Sequence, residues 1–195
     1  PVVENFEGSM ALLIEGALLA VLVVWLFLRD WRATVVSATA LPLSAIPTFG
    51  VMYLMGFSLN VVTLLSMSLI VGILVDDAIV EIENIVRHMR MGKSPYRAAL
   101  EAADEIGLAV IAISLTIIAI FAPASFMPGI AGQFFKQFGI TVSVQVFFSL
   151  LAARFVTPVL AAYFLKDHPH EDPPPGRILK TYTRLVTWSV KHYFI

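Results

Sequence analysis

The chain has 195 residues, of which 58% are hydrophobic and 14% charged, and a mean hydropathy of +0.85. A soluble domain is nearer half apolar and a quarter charged, so the composition is that of a membrane protein throughout, partnered by the lipid bilayer and not by nucleic acid. No Cys is present, which excludes a disulfide framework and a thiolate metal site, and the formal net charge of −1 hides a strong segregation of sign.

Residues 1–9 open the chain. Pro1 to Glu7 is polar, without an initiator Met or the basic start of a signal peptide. It reads as the end of a periplasmic segment, and the chain is expected to be a fragment of a longer protein. Five stretches then reach the roughly 20 residues that a helical crossing needs: Met10–Leu28, Ala33–Phe57, Leu59–Val86, Leu108–Met127 and Ile140–Leu165. Their apolar character goes all round and not along one stripe, and the unbroken runs exclude the alternating strands of a membrane barrel. The fold class is therefore all-α, a polytopic helical membrane protein with a five-helix transmembrane bundle over residues 10–165.

Pro42, Pro47, Pro123 and Pro158 fall in or near the spans, where neighbouring helices can satisfy the freed carbonyls; kinks and packing are expected before any gating role. Ser94-Pro95 reads as an N-cap with Pro in the first turn, opening a helix that can run on into the fourth span. Residues 166–176 form a Pro-rich cytoplasmic linker. Its His168 and His170 lack further metal ligands and are expected to be solvated. Residues 177–195 read as an amphipathic helix, with Ile178, Tyr182, Leu185 and Ser189 on one face and Lys180, Arg184 and Lys191 on another. Such a helix either lies on the anionic cytoplasmic leaflet or docks on more protein, and a further span could begin at Ile195.

Eleven of the 13 Lys and Arg residues follow the first, third and fifth spans: Arg29 and Arg32, then Arg87 to Arg97, then Lys166 to Lys191. On the other side only Lys136 is basic. The positive-inside bias puts the first set in the cytoplasm, so the first span enters from the outer, periplasmic side.

Against this frame the pair Asp76-Asp77, inside the run LNVVTLLSMSLIVGILVDDAIV, stands out. A carboxylate near the middle of a spanning helix costs roughly 2.5–3.5 kcal/mol, while each flanking Leu, Ile or Val returns only about 0.3–0.6 kcal/mol. Ionisable groups kept at that cost point to function, with proton relays prominent. Two neighbours in low dielectric titrate as a coupled pair, and at least one is protonated near neutral pH unless a cation sits between them. Glu81 lies four residues beyond Asp77 and Glu83 seven beyond Asp76, so an acidic strip leads towards Arg87. Glu15 adds a carboxylate in the first span. Arg154, in the fifth span, is the one intramembrane cation, and it is expected to snorkel to the interface and not to pair with the aspartates. No resident metal or cofactor is implied; the coupling ion would be the proton.

GILVDDAIVEIENI (Gly72–Ile85) closely resembles the fourth transmembrane helix of resistance-nodulation-division (RND) efflux pumps of the hydrophobe/amphiphile branch. FLRDWRAT, GFSLNVVTL and FMPGIAGQFFKQFGIT are similar to that family's connecting segments, so the chain would cover about helices two to six. The resemblance implies a secondary active proton/substrate antiporter, not an enzyme, of the Gram-negative inner membrane. It would work as a homotrimer with a periplasmic adaptor and an outer-membrane channel. Asp76 and Asp77 match the family's relay aspartates, with Glu15, Glu83 and Asn84 at supporting polar positions. The relay Lys belongs to a second helical half outside this chain. Glu81 and Arg154 depart from the common pattern and are possible further members of the site. A heavy-metal exporter of the same family is one alternative, although Met52, Met55, Met67, Met89 and Met91 are scattered as in packing. A non-pumping relative with a sterol-sensing-type or protein-export-helper core is another.

Overall fold

A computed structural model describes the backbone of residues 2–166 and 177–191, and the side chains among them except 2–6, 9, 74–76 and 177–180. The described residues are helical, joined by short turns, with no strand among them. The order is α1 (Val2–Leu28), α2 (Trp31–Leu54), α3 (Val61–Arg90), α4 (Pro95–Phe121), a 3-10 turn (Ala122–Phe126), α5 (Gly129–Leu151), a π-turn (Ala152–Val156), α6 (Thr157–Phe164) and α7 (Arg177–Lys191). Five stretches are long and apolar enough to cross a membrane: Met10–Leu28, Trp31–Leu54, Val61–Arg90, Pro95–Phe126 and Gly129–Phe164.

Local chemistry places the ends. Asp30 caps α2, its carboxylate accepting from Arg32 N at 2.8 Å. Asn60 and Thr63 form a reciprocal capping box at the start of α3, with bonds of 3.0 and 2.9 Å. Asn60 Nδ2 also donates to Gln137 Oε1 at 2.6 Å, tying the head of α3 to α5. Ser94 occupies the N-cap position before Pro95 as read, but it works through its carbonyl, which accepts from Ala98 N at 2.8 Å; the hydroxyl makes no cap bond.

Two boundaries differ from the sequence reading. The fourth span tightens into the 3-10 turn before Met127, and the fifth helix starts at Gly129, well ahead of Ile140. Pro128 at the N-cap and Gly129 at φ +81° complete the reversal in two residues. The polar segment that follows, Gln133 to Gln137, is then helix and not loop. α2 runs unbroken through Pro42 and Pro47, while Ser44 and Thr48 hydroxyls donate to carbonyls of the preceding turn at 2.9 and 2.7 Å. The α5–α6 rod widens into the π-turn just before Pro158. Pro158 has no N–H for the carbonyl of Arg154, four residues back, and a π-turn is one way a helix absorbs that loss.

α3 is the central helix, packed against α1, α2, α4, α5 and α6. Towards the basic end its Ile82 and Ile85 meet Ala98, Ala99 and Ala102 of α4 and Ala161 of α6, small residues that let the backbones approach. Towards the other end Ile70 packs with Val142 and Val146 of α5. Outward faces stay apolar: Leu18 is 66% exposed, and Leu65, Leu108 and Phe155 are likewise uncovered. That surface suits lipid and not water. In α7 every side chain from 181 to 191 is exposed.

Candidate functional site

Among the described residues the buried ionisable groups all lie on one face of α3. Asp77, Glu81, Asn84 and His88 recur at spacings of four, three and four, the period of a single helical stripe, and all four are buried. Asp77 is only 8% exposed, inside a stretch long enough to span a bilayer. The Asp76 side chain lies outside the described residues, so the structure places only its backbone, within α3.

One turn below Asp77, Glu81 is completely buried (0% exposed), and neither carboxylate oxygen has a hydrogen-bond partner. The charges acting on it are those of Arg154 and Asp77. Arg154, expected from the sequence to snorkel, reaches from the π-turn across to α4. It is only partly exposed, and its Nη1 donates to the carbonyl of Ala103 on α4. Gly107 makes the room: a β-carbon there would lie 2.5 Å from Arg154 Nη2 and 2.6 Å from Nη1. The missing side chain at Gly107 thus leaves the guanidinium its place against α4.

Nearer the basic end the stripe becomes a fully paired clasp between α3 and α4. Asn84 Nδ2 donates to Ala102 O at 3.2 Å, and Asn84 Oδ1 accepts from Arg87 Nε and Nη2 at 3.0 and 2.7 Å. Glu105 accepts from Arg87 at 2.6 Å and pairs with His88 Nε2 at 2.7 Å. Lys93 lies 2.8 Å from His88 Nδ1 and also bonds Glu101. A lysine donating to Nδ1 leaves Nε2 as the protonated nitrogen, which then donates to Glu105.

The strip read from sequence therefore splits. Glu81 faces the interior with Asp77, whereas Glu83 is exposed and lines a cleft of about 500 Å³ with Asp30, Arg87, Arg90 and Lys166. Glu15 is exposed on α1. Gly16 sits opposite Ser68, so Glu15 is roughly 15 Å along the axis from Asp77 at 1.5 Å per residue; the structure does not bring them together. Asn84 is at the site but serves as a structural tie. The sequence reading missed Gln145 of α5, whose buried amide has no partner, and the buried, unpartnered hydroxyls of Ser114 and Thr141. A lone Gln inside ITVSVQVFF was the available signal. Among the described residues no three His, Asp or Glu converge as a metal site would require.

Buried Asp77 and Glu81 on the central helix of such a bundle agree with comparison to known sequences. The model of the AcrB/AcrD/AcrF family matches residues 5–194. The chain belongs to that family. Its relatives include the multidrug resistance protein MdtC of Pectobacterium atrosepticum, 42% identical over 194 residues, covering 95% of this chain. The proteins of the same name from Pantoea ananatis and Yersinia pseudotuberculosis are 42% and 39% identical over 197 residues, each covering 97% of the chain. The chain spans 19% of the length of each of these relatives. The RND resemblance is thus borne out, and the chain is a multi-pass membrane segment of that family.

Proposed function

We propose that this chain forms the acidic half of the proton path of a secondary active multidrug efflux pump. It would exchange protons for hydrophobic or amphiphilic compounds across the bacterial inner membrane, with the basic end of the bundle in the cytoplasm. Asp77 buried midway along a spanning α3 carries the reading, because an intramembrane carboxylate at that cost is kept for charge movement. A proton bound there senses the membrane potential, worth about 2.3 kcal/mol per charge per 100 mV. The names of the MdtC relatives support multidrug export as the work done with it. Asp76 is the second relay carboxylate. A Lys from a second helical half, a homotrimer, a periplasmic adaptor and an outer-membrane channel complete the assembly that the family implies.

In a full-length pump carrying this segment, Asp76→Asn and Asp77→Asn are each expected to lower proton-driven export of a fluorescent lipophilic cation at least tenfold. Size-exclusion profiles should stay unchanged. Normal export by both variants would sink the relay assignment.

A further inference from the structure

We propose that Glu81 is a third proton-binding carboxylate of this segment, one turn to the cytoplasmic side of Asp77, and that Arg154 on the π-turn is its switchable counter-charge. The inference rests on the proton-coupled reading above and extends it to two residues outside the family's usual pattern.

Three observations carry it. Glu81 is completely enclosed with both oxygens unpartnered. An ionised carboxylate in that state is the costliest form of the site, whereas a bound proton removes the charge. Secondly, Asp77 and Glu81 are four residues apart on one face of α3, about 6 Å along the axis, so Glu81 is the next buried carboxylate on that face towards the basic end. Thirdly, Arg154 is within electrostatic range of Glu81 but bonds the Ala103 carbonyl instead. It projects from a π-turn, a helical irregularity frequent at functional sites.

These give two arrangements. The structure has Arg154 on Ala103, the arrangement that belongs to protonated Glu81. When Glu81 passes its proton to water on the cytoplasmic side, the carboxylate draws the guanidinium off the carbonyl and across to itself. A new proton from Asp77 leaves Asp77 charged, neutralises Glu81 and returns Arg154 to Ala103. The swing links proton exit to the relation of α3, α4 and the α5–α6 rod.

Other titratable groups on the packed helices are otherwise engaged or remote. On α4, Glu105 and Glu101 are paired with Arg87, His88 and Lys93, while Asp104 is exposed. On α5 the only charge is Lys136, near its opposite end, and α2 has no titratable side chain between Arg32 and Tyr53. Glu15 of α1 is exposed well above the pair.

The test uses the full-length pump in proteoliposomes with an imposed pH gradient, and pH-difference infrared spectra of the same protein. Glu81→Gln is expected to lower gradient-driven transport at least tenfold and to remove one protonated-carboxyl stretch from the difference spectrum. Glu81→Asp should keep transport within threefold of wild type with a displaced pH profile. Arg154→Gln should lower transport at least fivefold, and Arg154→Lys should restore at least half of it. An unchanged pH profile and an unchanged carboxyl band in Glu81→Gln overturn the proposal. Should that variant not fold, a wild-type pH profile in Glu81→Asp overturns it equally. Asp77→Asn separates the two levels: if it is inactive while Glu81→Gln is normal, only the role of Glu81 falls, and if it transports normally, the relay reading falls with it.

Discussion

Gly107 and Arg154 fit each other as lock and bolt, and their energetics can be separated. Replacing Gly107 by Ala would gain roughly 0.5–1 kcal/mol of helix stability, since its backbone is ordinary α-helix. The new β-carbon would also sit 2.5 Å from the guanidinium. Arg154 must then shift, and where the shift breaks its bond to Ala103 a charged hydrogen bond worth about 1.5–3 kcal/mol is lost. The second effect is the larger, so Gly107→Ala is expected to destabilise the full-length protein by about 1 kcal/mol in detergent thermal unfolding. In an Arg154→Ala background the sign should reverse, with Gly107→Ala now stabilising. Additive effects in that double-mutant cycle would show that the two side chains do not meet.

At the scale of elements, the best-defined joint is the head of α3. Asn60 caps the helix, exchanges bonds with Thr63 and reaches Gln137 of α5. Asn60→Ala is expected to cost about 1 kcal/mol for the cap alone, with a further loss for the interhelix bond. Asn60→Asp keeps an acceptor for Thr63 N but no longer donates to Gln137, so it should recover the cap and not the remainder. Equal unfolding temperatures for the Ala and Asp variants would remove the cap from the account.

Sequence reading reached this level unevenly, for physical reasons. Span lengths were legible because a bilayer crossing needs about 20 apolar residues whatever the packing. The side of α3 that faces inward was not, because apolarity all round removes the stripe that would orient a soluble helix. Glu81 and Glu83 therefore looked like one strip, although packing buries the first and exposes the second. The π-turn left no local signature beyond Pro158, and without it the direction of Arg154 could not be read. The α3–α4 clasp was more accessible: Arg87–Glu105 and Lys93–Glu101 are opposite charges nested about a common centre at residues 96 and 97, in the first turn of α4.

For the whole molecule the open question is direction, because proton uptake and release have meaning only relative to two compartments. The distribution of Lys and Arg predicts the turn at Gly92 on the cytoplasmic side and the turn at Gly56–Asn60 on the periplasmic side. The structure puts these turns at opposite ends of α3, so one pair of labels decides the orientation. The chain contains no Cys, which makes any introduced thiol unique within this segment. In intact cells expressing the full-length pump, Ser58→Cys is expected to react with a membrane-impermeant maleimide, and Met91→Cys only after permeabilisation. Both positions are exposed or half-exposed, so accessibility within the protein does not bias the comparison. The opposite pattern would invert the bundle, and with it the sense in which a proton passing from Asp77 to Glu81 moves down the gradient.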